Sequence, residues 1–267
     1  MRVDVRGLGV NVHRLGLPPG EAPTVVMLHG LSADNLSSLY YTLAPPMARV
    51  ADVVLYDLRG HGRTDRPATG YGLDDSVADL DGVLAALDVD GPVHLVGHSY
   101  GGAVAVSFAL AAPERVASLA LVEGHVARPG WGDHMAASVA FLAFGMAKPE
   151  VQEWMHHAAG RKARRAMEDV EALIHETSLV QDIAIRTTTV TDDDLRSLRT
   201  PLLAVYGEHS DVLDTGRDLA ALVPRSRFEL LDDQDHSLLL RCAERLNELL
   251  VPWVVEHASP DSRVEVA

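Results

Sequence analysis

Short runs of aliphatic and β-branched residues recur along this chain of 267 residues, each followed by a segment with helical spacing. Thr24-Val25-Val26-Met27-Leu28 is the clearest. It is apolar throughout, the pattern of a strand covered on both faces rather than one with a wet side. Residues 52–56, 93–96, 118–122, 202–206 and 228–231 read the same way, and helical patterns fall at 74–87, 102–111, 214–222 and 243–256. Strands alternating with helices make βαβ units, so the expected fold is α/β, a mostly parallel central sheet with helices on both faces. Residues 3–5 and 10–13, joined through Gly7 and Gly9, predict an N-terminal hairpin.

The alternation stops between about residues 125 and 199, where Ala, Met, His, Glu and Arg recur at helical spacing without a strand candidate. The simplest division is a core domain at 1–124, an α-helical insertion at 125–199, the rest of the core at 200–257 and a polar, frayed tail at 258–267. Hydrophobic residues make up 47%, enough for a substantial core. Against 23 Lys and Arg stand 38 Asp and Glu, a net charge of −15, which disfavours nucleic acid or an anionic membrane as the main partner. The basic run 161–165 reads as a solvated helix face. Cys242 has no second cysteine to pair with, and residues 1–6 lack the apolar run of a secretory signal. The longest apolar stretch, 103–112, falls well below the roughly 20 residues that span a bilayer. A cytoplasmic protein without a membrane partner is expected.

The chemistry centres on Gly97-His98-Ser99-Tyr100-Gly101-Gly102, which lies between the run 93–96 and a small-residue helix. G-x-S-x-G alone is a weak signal, but a strand feeding straight into a helix through it forces a sharp turn. Ser99 would then stand above the sheet at a helix N-terminus, where backbone N–H groups favour developing negative charge. A serine hydroxyl needs a base, and the base an orienting group. Of the 13 histidines, His236 follows the last strand after a short loop, at the carboxyl edge where α/β sheets place their chemistry. Asp211, just beyond the strand 202–206, reaches the same edge and is the expected acid, with Glu208 and Asp214 as competitors in its loop. His29-Gly30-Leu31 follows the strand 24–28; the N–H groups of Leu31 and Tyr100 would form an oxyanion hole, and His29 reads as a loop-holding residue beside the pocket.

The strand before His29-Gly30, the stretch Asp57-Leu58-Arg59-Gly60-His61-Gly62-Arg63-Thr64-Asp65, the turn at Ser99 and the order Ser99, Asp211, His236 resemble the α/β-hydrolase superfamily over about residues 10–256. The resemblance implies a Ser-His-Asp triad and a cap formed by the helical insertion. It also makes Glu123 a rival acid, because some relatives recruit one from the end of that strand. Thr64 and Asp235 depart from the residues common there, Ser and Gly. Branches with an aspartate nucleophile are disfavoured by Ser99.

Trp131, Met135, Phe141, Phe144, Met146, Trp154 and Met155 make the insertion its most apolar-aromatic part. They read as cap packing or as an apolar acyl pocket, with Trp131, Met135, Phe141, Phe144 and Trp154 as candidate lining. His134, His156 and His157 do not match a helical metal-ligand spacing, so no metal is expected, nor an organic cofactor. The predicted partner is a small acyl substrate with an apolar portion. The predicted activity is hydrolysis of a carboxylic ester, thioester or lactone. The alternatives are an acyl-transferring or cyclising thioesterase-like enzyme, a cofactor-free lyase or perhydrolase, and a ligand-binding protein without turnover.

Overall fold

In a computed structural model of the chain, residues 1–157 and 160–259 are described, the side chains of 152, 155–157 and 161–163 excepted. The expectations for the tail beyond Ser259 and for the side chains of Met155, His156 and His157 lie outside the described residues.

The sheet has eight strands: β1 (Arg2–Val5), β2 (Leu8–Gly16), β3 (Thr24–Leu28), β4 (Asp52–Tyr56), β5 (Val93–His98), β6 (Val116–Val122), β7 (Leu202–Gly207) and β8 (Ser226–Leu231). Their order is β1-β2-β4-β3-β5-β6-β7-β8. β1 and β2 form the antiparallel hairpin, β2 runs antiparallel to β4, and every later pairing is parallel. α1 (Leu36–Thr42) and α2 (Ala44–Met47) connect β3 to β4, α3 (Leu73–Ala86) leads into β5, and α4 (Tyr100–Ala111) leaves it at once. Between β6 and β7 come α5 (Trp131–Met146), α6 (Pro149–His157), α7 (Arg161–His175), α8 (Leu179–Ile185) and α9 (Asp192–Ser197). α10 (Leu213–Leu222) joins β7 to β8, which α11 (Leu238–Arg241) and α12 (Ala243–His257) follow.

Side chains alternate across the strands, so each buried run serves two cores. Val26, Leu28, Val54 and Tyr56 pack with α3, α4 and α10, whereas Val25, Met27, Val53 and Leu55 pack with α1, α2 and α12. That is why β3 and β4 are apolar without a break. β8 departs from the expected double burial: it is an edge strand with β7 as its neighbour, and its residues stay partly exposed. α4 is apolar around its circumference because it packs against α3 as well as on the sheet; Val104, Val106 and Phe108 are all buried.

The insertion is tied to the core by buried polar contacts. Asp182 on α8 accepts from the backbone N–H groups of Gly70 and Tyr71, each at 2.9 Å. Gly132 on α5 packs so tightly on α8 that a Cβ there would meet the Ile183 carbonyl at 2.6 Å. No helix among the described residues is long and apolar enough to cross a membrane.

Candidate active site

The parallel strands β3, β5, β6, β7 and β8 bring their carboxyl ends to one edge, and each delivers one piece of the site. At the end of β5, Ser99 takes φ 53° and ψ −119°, a left-handed conformation costing about 1–3 kcal/mol for a residue with a Cβ. The turn closes only because its flanks are bare. A Cβ on Gly97 would lie 2.6 Å from the Gly101 carbonyl, and one on Gly101 would lie 2.2 Å from the Leu28 carbonyl. Backbone hydrogen bonds hold the strained residue: Ser99 N–H donates to Val122, and the Ser99 carbonyl accepts from Gly102 and His125. Glu123, at the end of β6, is strained in the same sense, with φ 53°. Two neighbouring strands thus end in a left-handed non-glycine residue at the same edge.

His236, in the loop after β8, places Nε2 3.2 Å from Ser99 Oγ. Asp235, where glycine is common in similar proteins, shapes that loop by accepting from Ser237 N–H at 2.9 Å. The other ring nitrogen, His236 Nδ1, faces two carboxylates: Glu123 Oε2 at 3.2 Å and Asp211 Oδ1 at 3.4 Å. Both are ion-pair distances, and neither oxygen lies on the line of the ring N–H. Their surroundings differ sharply. Glu123 is fully buried, accepts from Gly207 N–H at 2.6 Å and takes a further hydrogen bond from the Ser210 hydroxyl. Asp211 is 78% exposed in its side chain. Burial alone would lower the His236 pKa, but Glu123, then Asp211 and Asp235, outweigh it and hold the imidazole above its ordinary 6.5. Glu208 and Asp214 stand off the site: Glu208 accepts from Asp233 N–H, and Asp214 pairs with Arg217 at the surface.

The N–H groups of Leu31 and Tyr100 have no hydrogen-bond partner among the described residues. The loop carrying Leu31 is held by two histidines whose ring nitrogens accept from backbone N–H groups. His29 Nε2 accepts from Leu58 N–H at 2.9 Å and its Nδ1 faces the Gly30 carbonyl at 2.6 Å; His61 Nε2 accepts from Ser32 N–H at 3.0 Å. Burial pushes His61 down to about 3, so it remains an acceptor near neutral pH. Asp57 completes the latch, accepting from Leu36 N–H, Arg63 N–H and Asn11 Nδ2. Thr64 serves where serine is common, its hydroxyl donating to the Asp57 carbonyl at 2.7 Å.

A cavity of about 340 Å³ opens beside Ser99 and His236, lined also by Gly30, Leu31, Asp34, His98, Leu239 and Leu240. The expected pocket residues do not line it. His29 is fully buried behind the loop. Trp131 stacks on Tyr100 with ring centroids 6.0 Å apart, and Met135 is buried beside it in the core. Phe141, Phe144 and Trp154 are 77%, 69% and 51% exposed. The reason is the pitch of α5: Trp131, Met135 and Val139 recur on the face turned to the core, which leaves Phe141 and Phe144 on the other side.

Three polar residues here escape a sequence reading. His98 and Asp34 line the cavity beside Ser99, and His125 N–H donates to the Ser99 carbonyl; the rings of His98 and His125 lie 5.9 and 6.0 Å from that of His236. Burial, reinforced by nearby His236, pushes His125 down to about 4. Among the described residues, the side chains able to share a metal ion are Glu208, His209 and Asp233, all exposed and none lining the cavity.

Residues 23–183 match the family model of the alpha/beta hydrolase fold. The chain is 27% identical over 247 residues to the dihydrolipoyllysine-residue acetyltransferase component of the acetoin cleaving system of Pseudomonas putida, covering 89% of this chain but 65% of that protein. It is 26% identical to the 2-hydroxy-6-oxononadienedioate/2-hydroxy-6-oxononatrienedioate hydrolase of Cupriavidus pinatubonensis, over 87% of each. The enol-lactonase of Burkholderia xenovorans LB400 superposes with a TM-score of 0.73 at 21% identity, covering 95% of this chain and 99% of that one.

Proposed function

Since the chain belongs to the α/β-hydrolase fold family, we propose that it is a serine hydrolase acting on a carboxylic ester, thioester or lactone through an acyl-enzyme. One observation carries this reading: the imidazole of His236 stands 3.2 Å from Ser99 Oγ with a carboxylate at its back. With the proton on Nδ1, Nε2 is the acceptor a serine hydroxyl needs, and a carboxylate facing Nδ1 favours that tautomer.

Ser99 Oγ attacks the carbonyl carbon while His236 Nε2 takes its proton. The tetrahedral oxyanion is received by the N–H groups of Leu31 and Tyr100, the second at the N-terminus of α4; each such donor is typically worth about 10²–10³ in rate. His236 returns the proton to the departing oxygen or sulfur, leaving an ester on Ser99. Water then enters, His236 takes its proton, and collapse of the second tetrahedral intermediate restores Ser99 and releases the acid.

Glu123, rather than the expected Asp211, is the principal acid in this reading. A buried carboxylate held by Gly207 and Ser210 keeps its position at no further entropic cost and acts in a poorly screened environment, whereas an exposed one is mobile and screened. Asp211 adds a second, weaker field on the same nitrogen. The test is the Ser99→Ala variant with p-nitrophenyl butyrate and a fluorophosphonate probe. Turnover and labelling should both vanish while circular dichroism is unchanged; activity persisting in that variant would falsify the assignment.

A further inference from the structure

Asp34 is a charged group that the reaction as written does not use. It lines the same cavity as Ser99 and His236, and the loop carrying Leu31 wraps around it. Gly30 N–H donates to Oδ2 at 2.7 Å and Asn35 N–H to Oδ1 at 2.8 Å. His98 Nδ1 lies 3.4 Å from Oδ2 without forming a directed hydrogen bond. A carbon added to Gly30 Cα would meet Asp34 Oδ2 at 3.0 Å, Ser99 Cβ at 3.3 Å and His98 Nδ1 at 3.4 Å. Carboxylate, imidazole and nucleophile therefore surround one point.

The carboxyl group is ionised in its resting state. Burial works against the charge, but the contacts with His98 and Ser38 outweigh it and hold the group well below the usual carboxylate range. A fixed negative charge so near the oxyanion donors opposes the charge that develops in the transition state. That opposition is relieved when the substrate itself brings a positive charge. No lysine or arginine lines the cavity, and His98 answers the charge only when protonated, while Leu31, Ala33, Leu239 and Leu240 supply apolar surface for a short chain. A dienedioate, with two carboxylates, would meet repulsion from Asp34 here and no lysine or arginine to receive it.

Resting on the serine-hydrolase reading, we propose that Asp34 is a specificity-determining residue that selects acyl substrates carrying an ammonium group near the scissile carbonyl and rejects those carrying a carboxylate there. The apolar wall receives the methylenes or methyl groups of such a substrate, and Asp34 Oδ2 receives its charge.

Two matched trios test this, one varying the acyl group and one the leaving group. The first is the p-nitrophenyl esters of 4-(trimethylammonio)butyrate, 5,5-dimethylhexanoate and glutarate. The second is the butyryl thioesters of thiocholine, 3,3-dimethylbutanethiol and 3-mercaptopropionate. In at least one trio, kcat/KM should favour the cation over its neutral isostere by roughly ten-fold or more, with the anion slowest. Asp34→Asn should bring the three members within about two-fold of one another. An Asp34 that merely caps the loop would change all three rates by the same factor. The inference is overturned if neither trio favours the cation, or if the preference survives in Asp34→Asn. Should the neutral esters turn over without any cation preference, the inference fails and the hydrolase reading stands. Calorimetric titration of Ser99→Ala with the ketone isosteres of the first trio gives an independent measure; equal affinities for the cationic and neutral ketones would also overturn it.

Discussion

Behind His236 stand two carboxylates on unequal footing. Glu123 is buried at the end of β6 and held on both oxygens, and Asp211 projects from an exposed loop. Replacing Glu123 by Gln should lower kcat/KM about 10²–10⁴-fold, because the Nδ1 proton and the imidazolium both lose their partner. Asp211→Asn should cost less than about ten-fold, since a partly solvated charge is screened; equal losses in the two variants would remove the case for Glu123. The pH dependence separates the roles further. A base acts only when neutral, and the carboxylates hold His236 above 6.5, so in the proposed reaction kcat/KM should fall as pH drops through a value above 6.5. Glu123→Gln removes the largest raising influence and moves that acid limb to lower pH, whereas Asp211→Asn moves it less. An acidic residue ending β6 is legible in the sequence. That it, and not Asp211, is the enclosed one depends on how the loop after β7 folds over it.

At the scale of elements, the turn from β5 into α4 is written almost entirely in local residues. Glycines stand where Cβ atoms would strike backbone, and a helix apolar on all sides follows. Gly101→Ala should destabilise the protein by about 1–3 kcal/mol, because the added carbon meets the Leu28 carbonyl and neither β3 nor α4 has room to yield. A urea midpoint shift with unchanged slope is the expected result; no shift would mean that α4 can move off β3. α5 shows the opposite case. Its aromatic residues read equally well as pocket or packing, since helical periodicity tells which residues share a face but not which face meets the core.

For the molecule as a whole, the insertion between β6 and β7 is joined to the core by a few buried polar contacts as well as by apolar ones. Asp182 satisfies two buried N–H groups of the loop before α3. Asp182→Ala leaves both without a partner, at about 1–3 kcal/mol each, and should speed proteolytic cleavage within residues 131–185 before the core unfolds. Cleavage that keeps pace with global unfolding would show that the insertion and core open together. Periodicity, the bare glycines around Ser99 and the position of His236 after the last strand were enough to determine the parallel sheet, the sharp turn at Ser99 and the arrival of His236 at the same edge, because each is a pattern of neighbours along the chain. Which carboxylate backs the imidazole, which residues wall the cavity and the presence of Asp34 inside it were decided by tertiary structure. Burial and electrostatic field are properties of distance in space, and segments as remote as β6 and the loop after β8 acquire theirs only when the sheet sets them side by side.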